Sequence, residues 1–183
     1  MGAIRSQSPP AFLIFAIFSK HDSLLEEIVQ ELQDKFGPLP LRSEKFPFDQ
    51  TAYYARQMGN GIQKQFLAGS TFFDIGTLAE VKRATNLIEE KVAQSGRFDV
   101  ERPINIDPGY VDLGKLILAS TKDHAHRVYL NDGIFAEVTL WIKDSAWQFW
   151  PWTYPDYKQH VATDFFLTVR EQLFREVKKA RQG

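Results

Sequence analysis

Eight consecutive apolar residues, Ala11 to Phe18, form the longest hydrophobic run in the chain. An unbroken run of that length predicts a strand buried on both faces, and it falls far short of the roughly 20 residues that a membrane span requires. After it, Leu25, Ile28, Val29, Leu32 and Phe36 recur at helical spacing. Ser23 with Glu26 three residues on has the form of a capping box, and Gly37-Pro38 supplies the stop. The stretches LRSEKFPFD and TAYYARQMG alternate imperfectly around Pro47, which suits an edge strand or a bent ribbon. The opening pattern then recurs. IQKQFLAGS reads as a strand, Thr77 with Glu80 forms a second capping box, and Leu78, Val81, Ala84, Thr85, Ile88 and Val92 line a helix that Gly96 closes. From Lys115 the period becomes two, so KLILAST, AHRVYLN and IFAEVTLWIK are strands. Asp132-Gly133 fits a hairpin turn that needs positive φ, and Asp144-Ser145 turns the chain toward WQFWPW. From Asp156 onward, Tyr157, Val161, Phe165, Val169, Leu173 and Val177 mark a C-terminal helix with a basic end that complements its negative terminus.

Strand, helix, strand, repeated once, predicts an α+β fold with a ferredoxin-like βαββαβ core, two helices covering one face of an antiparallel sheet. The C-terminal β-hairpin extends that sheet and the last helix lies across it. Residues 1–10, ending in Ser8-Pro9-Pro10, show no periodicity and read as a flexible lead-in, leaving residues 11–183 as one domain. With 22 basic and 23 acidic side chains the net charge is -1, so no global field draws the molecule to nucleic acid or an anionic membrane. Cysteine is absent, which excludes disulfides, thiolate metal sites, iron–sulfur clusters and thiol nucleophiles, and fits a cytoplasmic protein. Only Arg5 precedes the apolar run, and Ser19-Lys20-His21-Asp22 follows it where a signal peptide would carry a small-residue cleavage site.

Chemistry concentrates between Pro103 and Tyr157, where Asp, Lys, His, Arg, Glu and Tyr interrupt apolar runs and all four Trp residues fall. Charge inside a hydrophobic strand must be partnered or functional. Glu137 shares a strand face with Phe135, Thr139 and Trp141, so it needs a partner from Lys122, His126 or Arg127 and serves either in a structural ion pair or as a general acid or base. His124 and His126 are two apart and project from one face if they lie in a strand, a spacing that divalent metal sites use. A two-residue turn at Asp132-Gly133 would set Glu137 opposite Val128 and diagonal to His126, with Asp107 completing the set. Asp107-Pro108-Gly109-Tyr110 has turn composition and would hold Asp107 and Tyr110 at a pocket rim. Lys115, Lys122 and Arg127 are candidates to receive an anionic group. Trp147, Trp150, Trp152, Tyr154 and Tyr157 either pack over the sheet or stack on a ligand or partner. Lys82, Asn86 and Glu89 on the second helix read as a solvated row.

The strings NIDPGY, STKDHAHRVYL, DGIFAEVTL and WTYPDY are similar to those of an uncharacterised prokaryotic family, domain of unknown function family 4416. The resemblance extends to Tyr53-Tyr54, Met58-Gly59, Lys82, Thr85-Asn86 and Glu89, and thus to nearly the whole chain. It implies no established activity. Some members carry a GTP-binding label, but the chain has no GxxxxGK[ST] loop to cradle phosphates, and Thr121-Lys122-Asp123 lacks the spacing of a guanine-reading motif.

Three functions follow as expectations. The first is a small-molecule site, with or without catalysis, for an anionic ligand such as a nucleotide or phosphate. In it Glu137, His126 and Asp107 perform proton chemistry; Lys122, Arg127, Tyr110, Lys115 and Tyr154 bind; and His124 with His126 would hold a divalent metal. The second is a non-catalytic interaction module, such as a homodimer surface built on the Trp and Tyr cluster. RNA binding on the sheet is a third, weakened by the missing aromatic RNP string and basic balance.

Overall fold

Pairing along both edges of the first strand organises the molecule. The structure is a computed structural model that describes residues 8–48 and 56–182. Strand β1 (Ala11–Ser19) lies between β4 (Gln63–Phe72) and β5 (Asn105–Asp112), antiparallel to both. Short strands β2 (Leu41–Arg42) and β3 (Phe46–Pro47) pair with the outer edge of β4. On the other side β5 pairs with β6 (Lys115–Ser120), β6 with β8 (Ile134–Lys143), and β8 with both β7 (Val128–Asn131) and β9 (Ala146–Phe149). The result is an α+β fold built on one nine-stranded antiparallel sheet of order β2-β4-β1-β5-β6-β8-β7.

Helices on both faces explain why β1 is apolar without interruption. Leu13, Phe15 and Ile17 pack against Leu25, Ile28 and Leu32 of α1 (Asp22–Phe36) and Val81, Ile88 and Val92 of α2 (Leu78–Gln94). Phe12, Ile14 and Ala16 point the opposite way, against Phe166, Val169 and Leu173 of α3 (His160–Ala180). Each such Phe, removed from water, contributes about 1.5–3 kcal/mol. Among the described residues no helix is long and apolar enough to cross a membrane.

Several local expectations change. Neither capping box forms. Ser19 Oγ accepts from His21 N at 2.9 Å and donates to Pro103 O at 2.6 Å, drawing the connection tight so that α1 starts at Asp22, one residue before Ser23. Thr77 Oγ1 is engaged with Asp74 O at 2.8 Å, within a short 3₁₀ turn, Ile75–Thr77, that precedes α2. The buried stripe of α3 is Ala162, Phe166, Val169, Leu173 and Val177, with Val161 and Phe165 on its flank, because a 3₁₀ turn at Pro155–Lys158 resets the phase after Tyr157. Tyr53-Tyr54 lies outside the described residues.

The turn expected at Asp107–Tyr110 is instead the middle of β5. Ile106 N donates to Glu89 Oε1 at 2.7 Å and Ile106 O accepts from Lys82 Nζ at 2.9 Å, so the backbone groups of Ile106 face away from β1. By strand alternation those of Pro108 do too. The β5–β6 ladder covers only Gly109↔Leu118, Tyr110↔Ile117 and Val111↔Leu116, so the N–H that proline lacks would meet no ladder partner.

Candidate functional site

Where the β5–β6 ladder stops, the sheet forks. β5 remains paired to β1 back to Asn105, and β6 remains paired to β8 out to Ser120. Gly109 sits at the crotch: a Cβ there would fall 2.1 Å from Ile117 O, so only glycine allows the two strands to meet at that point. Beyond it, side chains of Glu89 and Lys82 take the place of a neighbouring strand for Ile106. A cavity of about 170 Å³ occupies the fork, lined by Lys64, Lys82, Asp107, Lys122, Arg127, Glu137, Tyr154 and Tyr157 among others. Cross-strand pairing sets Asp107 beside Ala16, Lys64 beside Phe18 and Glu137 beside Leu118, which puts these three side chains on the α3 face.

Arg127 organises one wall. Its Nε donates to Glu137 Oε2 at 2.9 Å, Nη1 to Ser120 Oγ at 2.7 Å and Lys122 O at 2.9 Å, and Nη2 to Tyr154 OH at 2.9 Å. Both charged side chains are at most 2% exposed. Glu137 Oε1 also accepts from Thr139 Oγ1 at 3.0 Å, and Oε2 lies 3.3 Å from His126 Nε2. One guanidinium thus fixes the β6 end, the 121–127 loop and Tyr154 around one carboxylate.

The opposite wall comes from α2 and β5. Lys82 Nζ reaches Asp107 Oδ1 at 3.2 Å, Asn105 Nδ2 donates to Asp107 Oδ2 at 2.7 Å, and Arg102 Nη2 bonds Glu89 Oε2 at 2.8 Å and Asn105 Oδ1. Lys82 is 4% exposed, so the row expected to be solvated is turned into the protein at Lys82 and Glu89. Burial opposes ionisation of Asp107, but the Lys82 and Lys64 charges with the Asn105 and Lys82 bonds overcome it and hold the carboxyl below its usual range. Glu89 moves the other way, because burial outweighs the Lys82 and Arg102 charges and raises it.

The floor is Lys64. Its Nζ bonds Asp156 Oδ2 at 2.6 Å and lies 4.8–5.0 Å from the ring centres of Phe18, Phe48 and Tyr157, an enclosure that stabilises a cation. The Tyr157 hydroxyl is buried without a hydrogen-bond partner among the described residues. Burial pushes its pKa well above the ordinary value and raises that of Tyr154 as well, so both phenols keep their protons.

Asp107, Lys122, Arg127, Glu137 and Tyr154 therefore line one cavity. His126 touches it through Glu137. Lys115 and Tyr110 lie elsewhere: Lys115 pairs with Asp112 at 2.7 Å, and Tyr110 packs with Leu78 and Ile117, its pKa raised to about 12 by burial and the Asp112 charge. His124 and His126 precede β7 and are not in a strand, so the same-face spacing does not apply. Val128 pairs with Ala136 rather than Glu137, because the ladder shifts between Tyr129 and Asn131. Among the described residues no group of three or more His, Asp or Glu side chains is placed to hold a metal. Instead the His rings join an aromatic column: His124 on His126 at 5.8 Å, His126 on Trp152 at 5.0 Å, Trp152 on Trp150 at 5.1 Å and Trp150 on Trp141 at 5.8 Å.

Lys64 and Asp156 had no assigned part in the sequence reading of the site. The signal for Lys64 was the one that exposed Glu137, a charge inside an apolar strand, here within IQKQFLAGS.

Residues 9–173 match the family described as Domain of unknown function (DUF4416). The chain belongs to that family. Comparisons with curated proteins and with solved structures give no match.

The oppositely shifted carboxyls give this wall a pH signature. Glu89 has a folded pKa above its unfolded 4.5, so it costs stability at neutral pH and that cost disappears as pH falls through the raised value toward 4.5. Asp107, depressed below 3.8, contributes stability that is lost only as pH drops further, through its folded value. Urea midpoints of Glu89→Gln relative to the parent should therefore be more favourable at pH 7 than at pH 5. An offset that does not change with pH would show that Glu89 is not raised.

Proposed function

We propose that the fork between β5 and β6 binds a small anionic molecule. The observation that carries this reading is a surplus of hydrogen-bond donors at one cavity. Ser120 Oγ accepts from Arg127 Nη1 and from Lys122 N, and Tyr154 OH accepts from Arg127 Nη2, so each hydroxyl retains a proton to give. Among the described residues the Tyr157 hydroxyl has no partner. Among the described residues five cationic side chains line the cavity with three carboxylates, and Glu89 stands behind Arg102 as a fourth. Among these residues the cations outnumber the carboxylates by one. Donors and a net positive charge favour an oxyanion.

At about 170 Å³ the cavity is smaller than the ~300 Å³ and upward typical of drug-sized ligands, which favours a compact metabolite over a whole nucleotide. With the P-loop also missing, the GTP reading has little support. RNA on the sheet lacks an open face next to β1, where helices lie on both sides. The interaction reading loses ground because Trp147 is buried and Trp150 stacks on Trp152. If the site is catalytic, Asp107 is its ionised carboxylate, and Glu137 with His126 forms the proton-handling pair. We also read β2-β4-β1-β5 with α1 and α2 on one face as a ferredoxin-like core, supported by that strand order, with β6 to β9 as its extension. The absence of cysteine supports a reducing, cytoplasmic setting.

Titration calorimetry with phosphate and with propionate should show saturable binding, with none for glycerol. Lys122→Ala should weaken it about tenfold, the equivalent of one lost charge-assisted bond. Absence of saturation with either anion, or an unchanged affinity in Lys122→Ala, would contradict the proposal.

A further inference from the structure

The geometry points to a hydroxylated oxyanion, a hydroxy acid or the phosphate ester of a small polyol, as the class of ligand, with Asp107 as the residue that reads its hydroxyl; this rests on the anion-binding reading above. A plain anion would satisfy the donors of the cavity but leave its carboxylate wall facing like charge. Asp107 is the group that makes this matter. Its side chain is 31% exposed, on a cavity whose other carboxylates are almost sealed: those of Glu137 and Asp156 are 1% and 4% exposed. Its Oδ1 takes one bond from Lys82 and its Oδ2 one from Asn105, whereas an ionised carboxylate offers about four lone-pair sites. Roughly two acceptor positions therefore remain on an accessible, acceptor-only group.

The neighbours of Asp107 decide what kind of donor fits. A ligand ammonium would satisfy a carboxylate, but Asp107 already has the Lys82 ammonium 3.2 Å away, and the Lys64 charge is close enough to favour its ionised form. A third cation would be repelled by both lysines, whereas a neutral hydroxyl meets no such penalty. The oxyanion and the hydroxyl must also be close together, because the whole cavity holds about 170 Å³. A short chain with its hydroxyl one or two carbons from the acidic group satisfies both walls at once.

Matched ligands separate these requirements. Lactate, propionate and alanine differ only in the hydroxyl, hydrogen or ammonium beside the carboxylate; glycerol phosphate and propyl phosphate make the same comparison for a phosphate ester. By calorimetry on the wild-type chain, at least one hydroxylated member should bind ten times more tightly or better than its unsubstituted partner, with alanine weakest. Whether lactate or glycerol phosphate leads identifies the acidic group. In Asp107→Asn the preference should collapse while propionate and propyl phosphate bind more tightly than to wild type, because a repelling charge is gone. Misfolding would weaken every ligand and could not produce that crossing, and the wild-type ratios need no variant. Equal binding of hydroxylated and unsubstituted partners would overturn the inference and leave the anion site standing. Tighter binding of alanine, or a hydroxyl preference that survives in Asp107→Asn, would overturn the role given to Asp107. No saturable binding of any of the five would overturn the anion site as well.

Discussion

Gly109→Ala is expected to cost about 3 kcal/mol or more, a fall of about 6–12 °C in melting temperature for a chain of this size. The added Cβ would sit 2.1 Å from Ile117 O and 2.9 Å from Leu118 Cδ2, and the first of these is backbone that cannot rotate away. Relief requires β5 and β6 to separate at the only three residue pairs that join them. The damage should spread beyond a local void, since both halves of the sheet meet there. Hydrogen exchange would show lost protection at Tyr110 and Ile117 together. A variant that melts like the parent would mean that the two strands do not approach as closely as described.

Glu137→Gln is the second large effect, expected to destabilise by roughly 2–3 kcal/mol. The amide keeps the shape and one acceptor, but Arg127 is left as a buried charge without its counter-charge. Because that guanidinium also holds Ser120, the Lys122 carbonyl and Tyr154, the 121–127 loop should loosen as well. Removing both charges in Glu137→Gln with Arg127→Met should cost less than the sum of the single changes, as expected for a pair with one shared penalty. Chemical denaturation of the four proteins measures that coupling. Additive losses would mean that the two side chains do not act as a pair.

Periodicity exposed the two-sided burial of β1, the helical faces of α1 and α2 and the β7–β8 hairpin, because each pattern is a local record of what a residue packs against. It misread Asp107–Tyr110, where composition favours a turn. Pro108 and Gly109 tolerate a strand only because β6 diverges at one and crowds the other, a property of pairing between segments that local sequence does not carry. The same limit applied to the capping boxes, whose hydroxyl and acid spacing was right but whose connections Ser19 and Asp74 had already tightened. At the site, Glu137 was legible as a charge among apolar neighbours, and Lys122 and Arg127 as charges on the polar stretch between two apolar strands. Lys82 was not, since on a helix its burial depends on the strand end it covers, and Lys115 stood out for a charge that pairs locally with Asp112.

Binding at the fork is tested most directly by following backbone amide signals of the isotopically labelled chain by nuclear magnetic resonance during addition of lactate, or of glycerol phosphate if that binds more tightly. The account predicts saturable shifts confined to the cavity walls, at Asp107, Ser120 to Lys122, Arg127 and the Tyr154–Tyr157 turn, with the amides of β9 and the C-terminal half of α3 unmoved. Shifts that never saturate, or that map to a surface away from the β5–β6 fork, would contradict it.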